Sequence, residues 1–195
     1  VSTINKSGVA NLSPFSFFNI FSANPPIAIF SPARRVRDNT TKHTLENILD
    51  NKEAVINVVS YNMVQQTSLS SSEYKEGMNE FIKSGFTQIS SETIKPYRVK
   101  ESPVQLECKV KEVIALGNEG GAGNLVISEI NMIHINEDIL NDSGRIDPNK
   151  IDLVGRMGGN WYCRASNEAI FEVEKPLKKL GIGVDQVPLS IRNSH

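Results

Sequence analysis

"VQLECKVKEV", residues 104–113, and "LVISEINMIHI", residues 125–135, flank the short run "GNEGGAGN" at 117–124. In the first stretch Val104, Leu106, Cys108 and Val110 alternate with Gln105, Glu107, Lys109 and Lys111. That two-residue period describes an antiparallel strand with one face in a core and the other in water. The second stretch reads as its partner. The glycine cluster lies between two strands rather than between a strand and a helix, and it lacks GxGxxG spacing. It is a hairpin loop.

Working outward, strands dominate. Val1–Asn5 and Val9–Leu12 flank a Lys6-Ser7-Gly8 turn, and "AVINVVS" from Ala54 is a further buried strand. A helix is predicted from Thr44, placed as an N-cap, with Leu45, Ile48 and Leu49 on one face. Another is predicted across "SSSEYKEGMNEFIKSGF", where Tyr74, Met78, Phe81 and Ile82 recur at helical spacing and Gly85 suits a C-terminal cap. Strands that do not alternate regularly with helices disfavour a doubly wound parallel sheet. The expected class is mainly β: a closed antiparallel barrel with short helices in its connections.

The chain has 195 residues, 39% of them hydrophobic, enough for one domain with a continuous core. Its 21 basic and 22 acidic residues leave a formal net charge of -1, which argues against a nucleic-acid partner. No apolar run approaches the ~18 residues of a membrane span. Cys108 and Cys163 form no CxxC pair, and three histidines lack metal-ligand spacing, so neither a disulfide framework nor a metal site is expected. These features predict a cytoplasmic protein. "VSTIN" at the start reads as the tail of a strand whose preceding residues are missing.

"NLSPFSFFNIFSANPPIAIFS", residues 11–31, holds five phenylalanines among serines, asparagines and three prolines. Pro14 removes a backbone donor and imposes an edge or a bulge. Two readings stand: a core strand with a proline bulge, or a ligand wall of aromatic faces and exposed amides suited to a flat heteroaromatic ring with polar edges. Residues 31–44 follow with Arg34, Arg35, Arg37, Lys42 and Thr44. They are either an anion site at a helix N-terminus or a solvated surface loop.

Taken in order, "VSTINKSGVANLSPFSFF", "NPPIAIFS", "KHTLENI", "ESPVQLECKV", "ISEINMIHIN" and "GRMGGNWY" resemble the flavin reductase-like family of FMN-binding split barrels, close to flavoredoxin. The likeness runs from Val1 to about Tyr162. It implies a six-stranded Greek-key split barrel, a single domain with a C-terminal extension from about residue 163, and a homodimer with non-covalent FMN near the interface. It also implies that Asn11 and the Ser16-Phe17-Phe18 backbone meet the ring and ribityl chain. Ser31, Arg34 or Arg35, Lys42 and Thr44 would take the phosphate. His134 would lie close to the flavin, and Trp161 or Tyr162 would cover it. Arg156 would serve the flavin or a barrel carboxylate, and Gly158 and Gly159 would permit close backbone approach. His43 stands where the family often has an aspartate.

The chemistry implied is the flavin's: NADH or NADPH would deliver hydride, and the reduced flavin would pass electrons to a further acceptor, an unidentified carrier or a monooxygenase partner. An NAD(P)H-dependent reductase and an FMN-containing electron carrier reduced by a separate enzyme both fit.

Overall fold

The computed structural model describes residues 1–74 and 77–173. Strands β1 (Ser2–Ile4), β2 (Ala10–Leu12), β3 (Phe18–Ala23), β4 (Pro26–Phe30), β5 (Glu53–Asn57), β8 (Val104–Ala115) and β9 (Asn124–Ile135) form one antiparallel sheet in the order β2-β1-β5-β8-β9-β4-β3. Two ribbons stand apart from it, β6 (Gln88–Ile89) with β7 (Arg98–Val99), and β10 (Leu153–Gly158) with β11 (Trp161–Ala165). Helices are short: α1 (His43–Asn51), α2 (Val64–Ser70), α3 (Glu80–Ser84) and α4 (Pro148–Ile151). The mainly β expectation holds, with seven strands in the large sheet instead of six.

Local chemistry explains the first hairpin. Gly8 takes φ 83°, a conformation that costs glycine little, while Asn5 Oδ1 accepts from the amides of Ser7 at 3.0 Å and Val9 at 2.9 Å. The β8–β9 hairpin forms as expected around residues 117–123. The core lies on one side of the sheet, where Phe30, Ile48, Ala54, Val104, Leu106, Cys108, Val110 and Val126 pack together. A smaller cluster of Ala10, Leu12, Met63, Phe81, Phe86 and Val99 lies under α2 and α3.

Three expectations change. The helix over "SSSEYKEGMNEFIKSGF" shrinks to α3, because Gly77 sits at φ 82° and Asn79 caps a fresh start by accepting from the Phe81 amide at 3.0 Å. Tyr74 and Met78 fall outside it, Lys75 and Glu76 lie outside the described residues, and Gly85 caps its end as anticipated. Helix α1 starts two residues early with Lys42 as an extended N-cap, so Thr44 is buried inside its first turn and Leu49 is exposed. Finally, Gln105 and Glu107 are buried rather than solvated. The 90–98 segment covers the outer face of that half of β8, which sequence alternation cannot reveal. Of the C-terminal extension expected from about residue 163, residues 174–195 lie outside the described residues.

Candidate functional site

Chain order brings the aromatic stretch and the basic loop to one end of the sheet. Strand β4 ends at Phe30, paired with Val126, and the Ser31 amide then donates to the Phe17 carbonyl at 2.9 Å. Ser31 is itself buried, and a Cβ on Gly123 would come within 2.5 Å of its Oγ. Phe15 packs on Phe30 with ring centroids 5.3 Å apart, whereas Phe17 and Phe18 are exposed, Phe17 to 71%. This segment is therefore neither a plain core strand nor free coil. Phe15 anchors it, Phe17 is left largely bare, and Phe18 pairs with Phe30 at the end of the sheet.

The basic loop is built, not loose. The Arg34 amide donates to the Ala122 carbonyl at 2.9 Å, and the Gly121 amide donates back to the Arg34 carbonyl at 3.0 Å. Gly120 lies so close that a Cβ there would sit 3.0 Å from Val36 Cα. The hairpin glycines thus exist to let this loop lie on them. Asn39, at φ 56°, closes the turn by accepting from Arg34 Nε at 2.6 Å and donating to the Asn118 carbonyl at 2.9 Å. Arg34 also donates to the Asn39 carbonyl, which commits its guanidinium to the loop itself. Arg35 donates to Thr40 Oγ1 at 3.0 Å and to the Thr41 carbonyl, and its Nε lies 4.0 Å from Glu73 Oε1.

Lys42 differs. Its ammonium lies 5.2 Å above the Phe15 ring and engages no carboxylate among the described residues. Burial, reinforced by the Arg35 charge, lowers its pKa below the ordinary lysine value, and Glu73 opposes the shift. A half-buried, unpaired cation beside a second cation and an aromatic wall is ready to receive an anion attached to a flat ring.

Other expected site residues fall elsewhere. Asn11 faces inward: its Nδ2 donates to Glu80 Oε1 at 2.8 Å, and its Oδ1 accepts from Thr44 Oγ1 at 2.8 Å. Glu80 Oε2 also accepts from the Leu12 amide at 3.1 Å, and Thr3 and Asn47 extend the same buried network. The Asn11 and Thr44 side chains thus join β2, α1 and α3.

His134 lies eight positions beyond Val126 on β9, about 26 Å of strand from the Ser31 end. It pairs across the sheet with Gln105, and its Nε2 is 2.7 Å from Glu107 Oε1. Trp161 and Tyr162 project from the β10–β11 ribbon, with Trp161 exposed to 78%. Arg156 stays inside that ribbon, over the Tyr162 ring at 5.4 Å and donating to the Gly159 carbonyl, and meets no carboxylate among the described residues. Gly158 at φ 98° and Gly159 at φ 52° form a positive-φ turn with open space at their Cβ positions.

Sequence reasoning missed the two buried carboxylates. Glu107 accepts from the Glu92 amide at 2.8 Å, the Thr93 amide at 2.7 Å and Thr93 Oγ1 at 2.6 Å. Burial pushes its pKa up, but these donors and His134 outweigh that and bring it down to about 2. Its alternation with apolar neighbours had placed it in water. Nothing local marks it otherwise.

Comparison with known proteins decides the family. The flavin reductase like domain profile matches residues 1–148. The chain belongs to the flavin reductase-like family. An uncharacterised Aquifex aeolicus (strain VF5) relative is 35% identical, the match covering 89% of this chain and 86% of that one. The structure of nitrilotriacetate monooxygenase component B from Bacillus cereus superposes with a TM-score of 0.80 at 28% identity, covering 88% of this chain and 84% of that one. A flavin reductase with a split barrel domain from Shewanella frigidimarina NCIMB 400 gives 0.75 at 27%, covering 89% and 83%. Flavoredoxin structures share the fold at lower identity, which speaks to architecture alone. The sheet described above is the split barrel of this family.

Proposed function

We propose that this protein is an FMN-dependent oxidoreductase that accepts hydride from NADH or NADPH and passes reducing equivalents to a separate acceptor. The observation that carries the reading is that Lys42, with the Arg35 charge near it, lies over Phe15, just before the Phe17-Phe18 stretch that the Ser31 amide ties to the end of β4. The residues present fit the group: Lys42 has no carboxylate partner among the described residues, Arg35 stands beside it, and the Ser16-Phe18 backbone runs alongside. Arg35 and Lys42 would hold the phosphate, and the Ser16-Phe17-Phe18 backbone would meet the ring. Bound flavin would supply the redox chemistry, while the chain binds, orients and shields it. The monooxygenase component among the similar structures supports a monooxygenase-type acceptor.

A homodimer completes this reading. Ile133 and Ile135 pair with Leu106 and Val104 and so share the core face of the sheet, yet both are exposed, Ile133 to 51%. Phe18 and Ile20 pair with Phe30 and Ala28 on that same face and are exposed as well. The β10–β11 ribbon touches the rest of the described chain near its base, where Leu153 bridges Ser60, and its far end carries bare Met157 and Trp161. A two-stranded ribbon of this kind needs a surface to pack on. A second copy provides one.

Anaerobic mixing of the flavin-loaded protein with NADH and with NADPH, followed by visible absorbance, tests the assignment. Bleaching within seconds by either nucleotide is expected. Flavin that stays oxidised with both, but is reduced by an added reductase, would mark an electron carrier instead.

A further inference from the structure

One carboxylate sits where the cations of the basic loop converge. Glu73, in the segment after α2, places Oε2 2.8 Å from Arg37 Nη1 and Oε1 4.0 Å from Arg35 Nε. Its charge reaches Lys42 strongly enough to oppose that residue's shift. The other carboxylate in the patch has a different task. Asp38 Oδ1 accepts from Thr40 Oγ1 at 2.6 Å and from the Thr40 amide at 3.1 Å, which shapes the loop, and only its second oxygen meets Arg37, at 3.1 Å. Glu73 shapes nothing of the kind: its hydrogen-bond partner among the described residues is Arg37 alone.

We infer that Glu73 occupies the anion position of this loop as an internal stand-in for phosphate, and that it must yield when a phosphorylated ligand binds. The inference rests on the reading that Arg35 and Lys42 take the FMN phosphate. Both sides of the Arg37–Glu73 pair are more than half exposed, at 70% and 58% of their side chains. Exposed pairs of this kind contribute little stability, so the exchange is easy. A dianionic phosphate with three acceptor oxygens satisfies Arg35, Arg37 and Lys42 better than one carboxylate can. Glu73 therefore sets how strongly the site prefers phosphorylated over unphosphorylated flavin. In its absence the patch would hold one more uncompensated positive charge.

The test titrates FMN and riboflavin into flavin-free, full-length protein and follows flavin fluorescence. Glu73→Gln should bind FMN three- to tenfold more tightly than wild type, with riboflavin unchanged within twofold, and Glu73→Ala should match it. Inorganic phosphate should compete with FMN more effectively in both variants. FMN affinity equal to or below wild type in both would overturn the inference, because Glu73 would then be inert or a buttress for the arginines. Lys42→Ala separates the two levels. If it loses FMN affinity while Glu73→Gln changes nothing, the phosphate loop stands and the stand-in falls. If neither variant alters FMN binding, both fall.

Discussion

His134 Nε2 lies 2.7 Å from Glu107 Oε1, so an imidazole at the sheet surface is held by a carboxylate with no solvent exposure. The same carboxylate gathers the amides of Glu92 and Thr93 and fastens the 90–98 segment to β8. Because this carboxylate is charged, it ties acid stability to that segment. Its folded pKa of about 2 lies below the ordinary 4.5, so the stability it contributes is complete above about 4.5 and is lost as pH falls toward about 2. The loss should reach roughly 3 kcal/mol across that window. Urea unfolding at stepped pH should show it, and Glu107→Gln should be less stable at pH 7 with a shallower decline in acid.

Replacing Lys42 with Ala should weaken FMN at least tenfold, since a charge-assisted bond to phosphate is worth about 1.5–3 kcal/mol. Riboflavin, which has no phosphate, should bind wild type and variant alike. Equal FMN affinity in the two proteins would show the loop to be an ordinary surface.

Gly120→Ala places a methyl 3.0 Å from Val36 Cα and 3.2 Å from the Arg35 carbonyl, both backbone atoms that cannot swing aside. The 34–36 segment must lift from the hairpin, carrying Arg35 with it. FMN affinity should drop several-fold, while the unfolding free energy falls by no more than about 2 kcal/mol, as for overpacking at one site. Gly8→Ala, remote in the β1–β2 turn, should cost some stability and leave FMN binding alone.

Light scattering should give about twice the 21.6 kDa chain mass. The ribbon is seated by Arg164, whose guanidinium meets Asp152 twice at 2.7 Å and stacks 3.8 Å above Tyr61. Arg164→Ala should loosen the ribbon and raise the dimer dissociation constant. A wild-type monomer that still holds FMN would refute the interface role of the exposed strands.

Much of the architecture was written locally. The alternation at 104–113, the glycines at 117–123 and the Lys6-Ser7-Gly8 turn each determine a strand or a turn through period and φ, without help from distant residues. The family resemblance marked residues 11–18 and 31–44 as one candidate site. Tertiary structure decided what each polar side chain does. Asn11 bonds to Glu80 and Thr44 to Asn11, because β2, α1 and α3 meet there and their buried polar atoms require partners. Glu107 looked solvated until a segment 15 residues away in sequence folded over it. Periodicity reports which face of one strand is apolar. Which segment then covers the other face, and which donors come with it, depends on packing between elements distant in sequence.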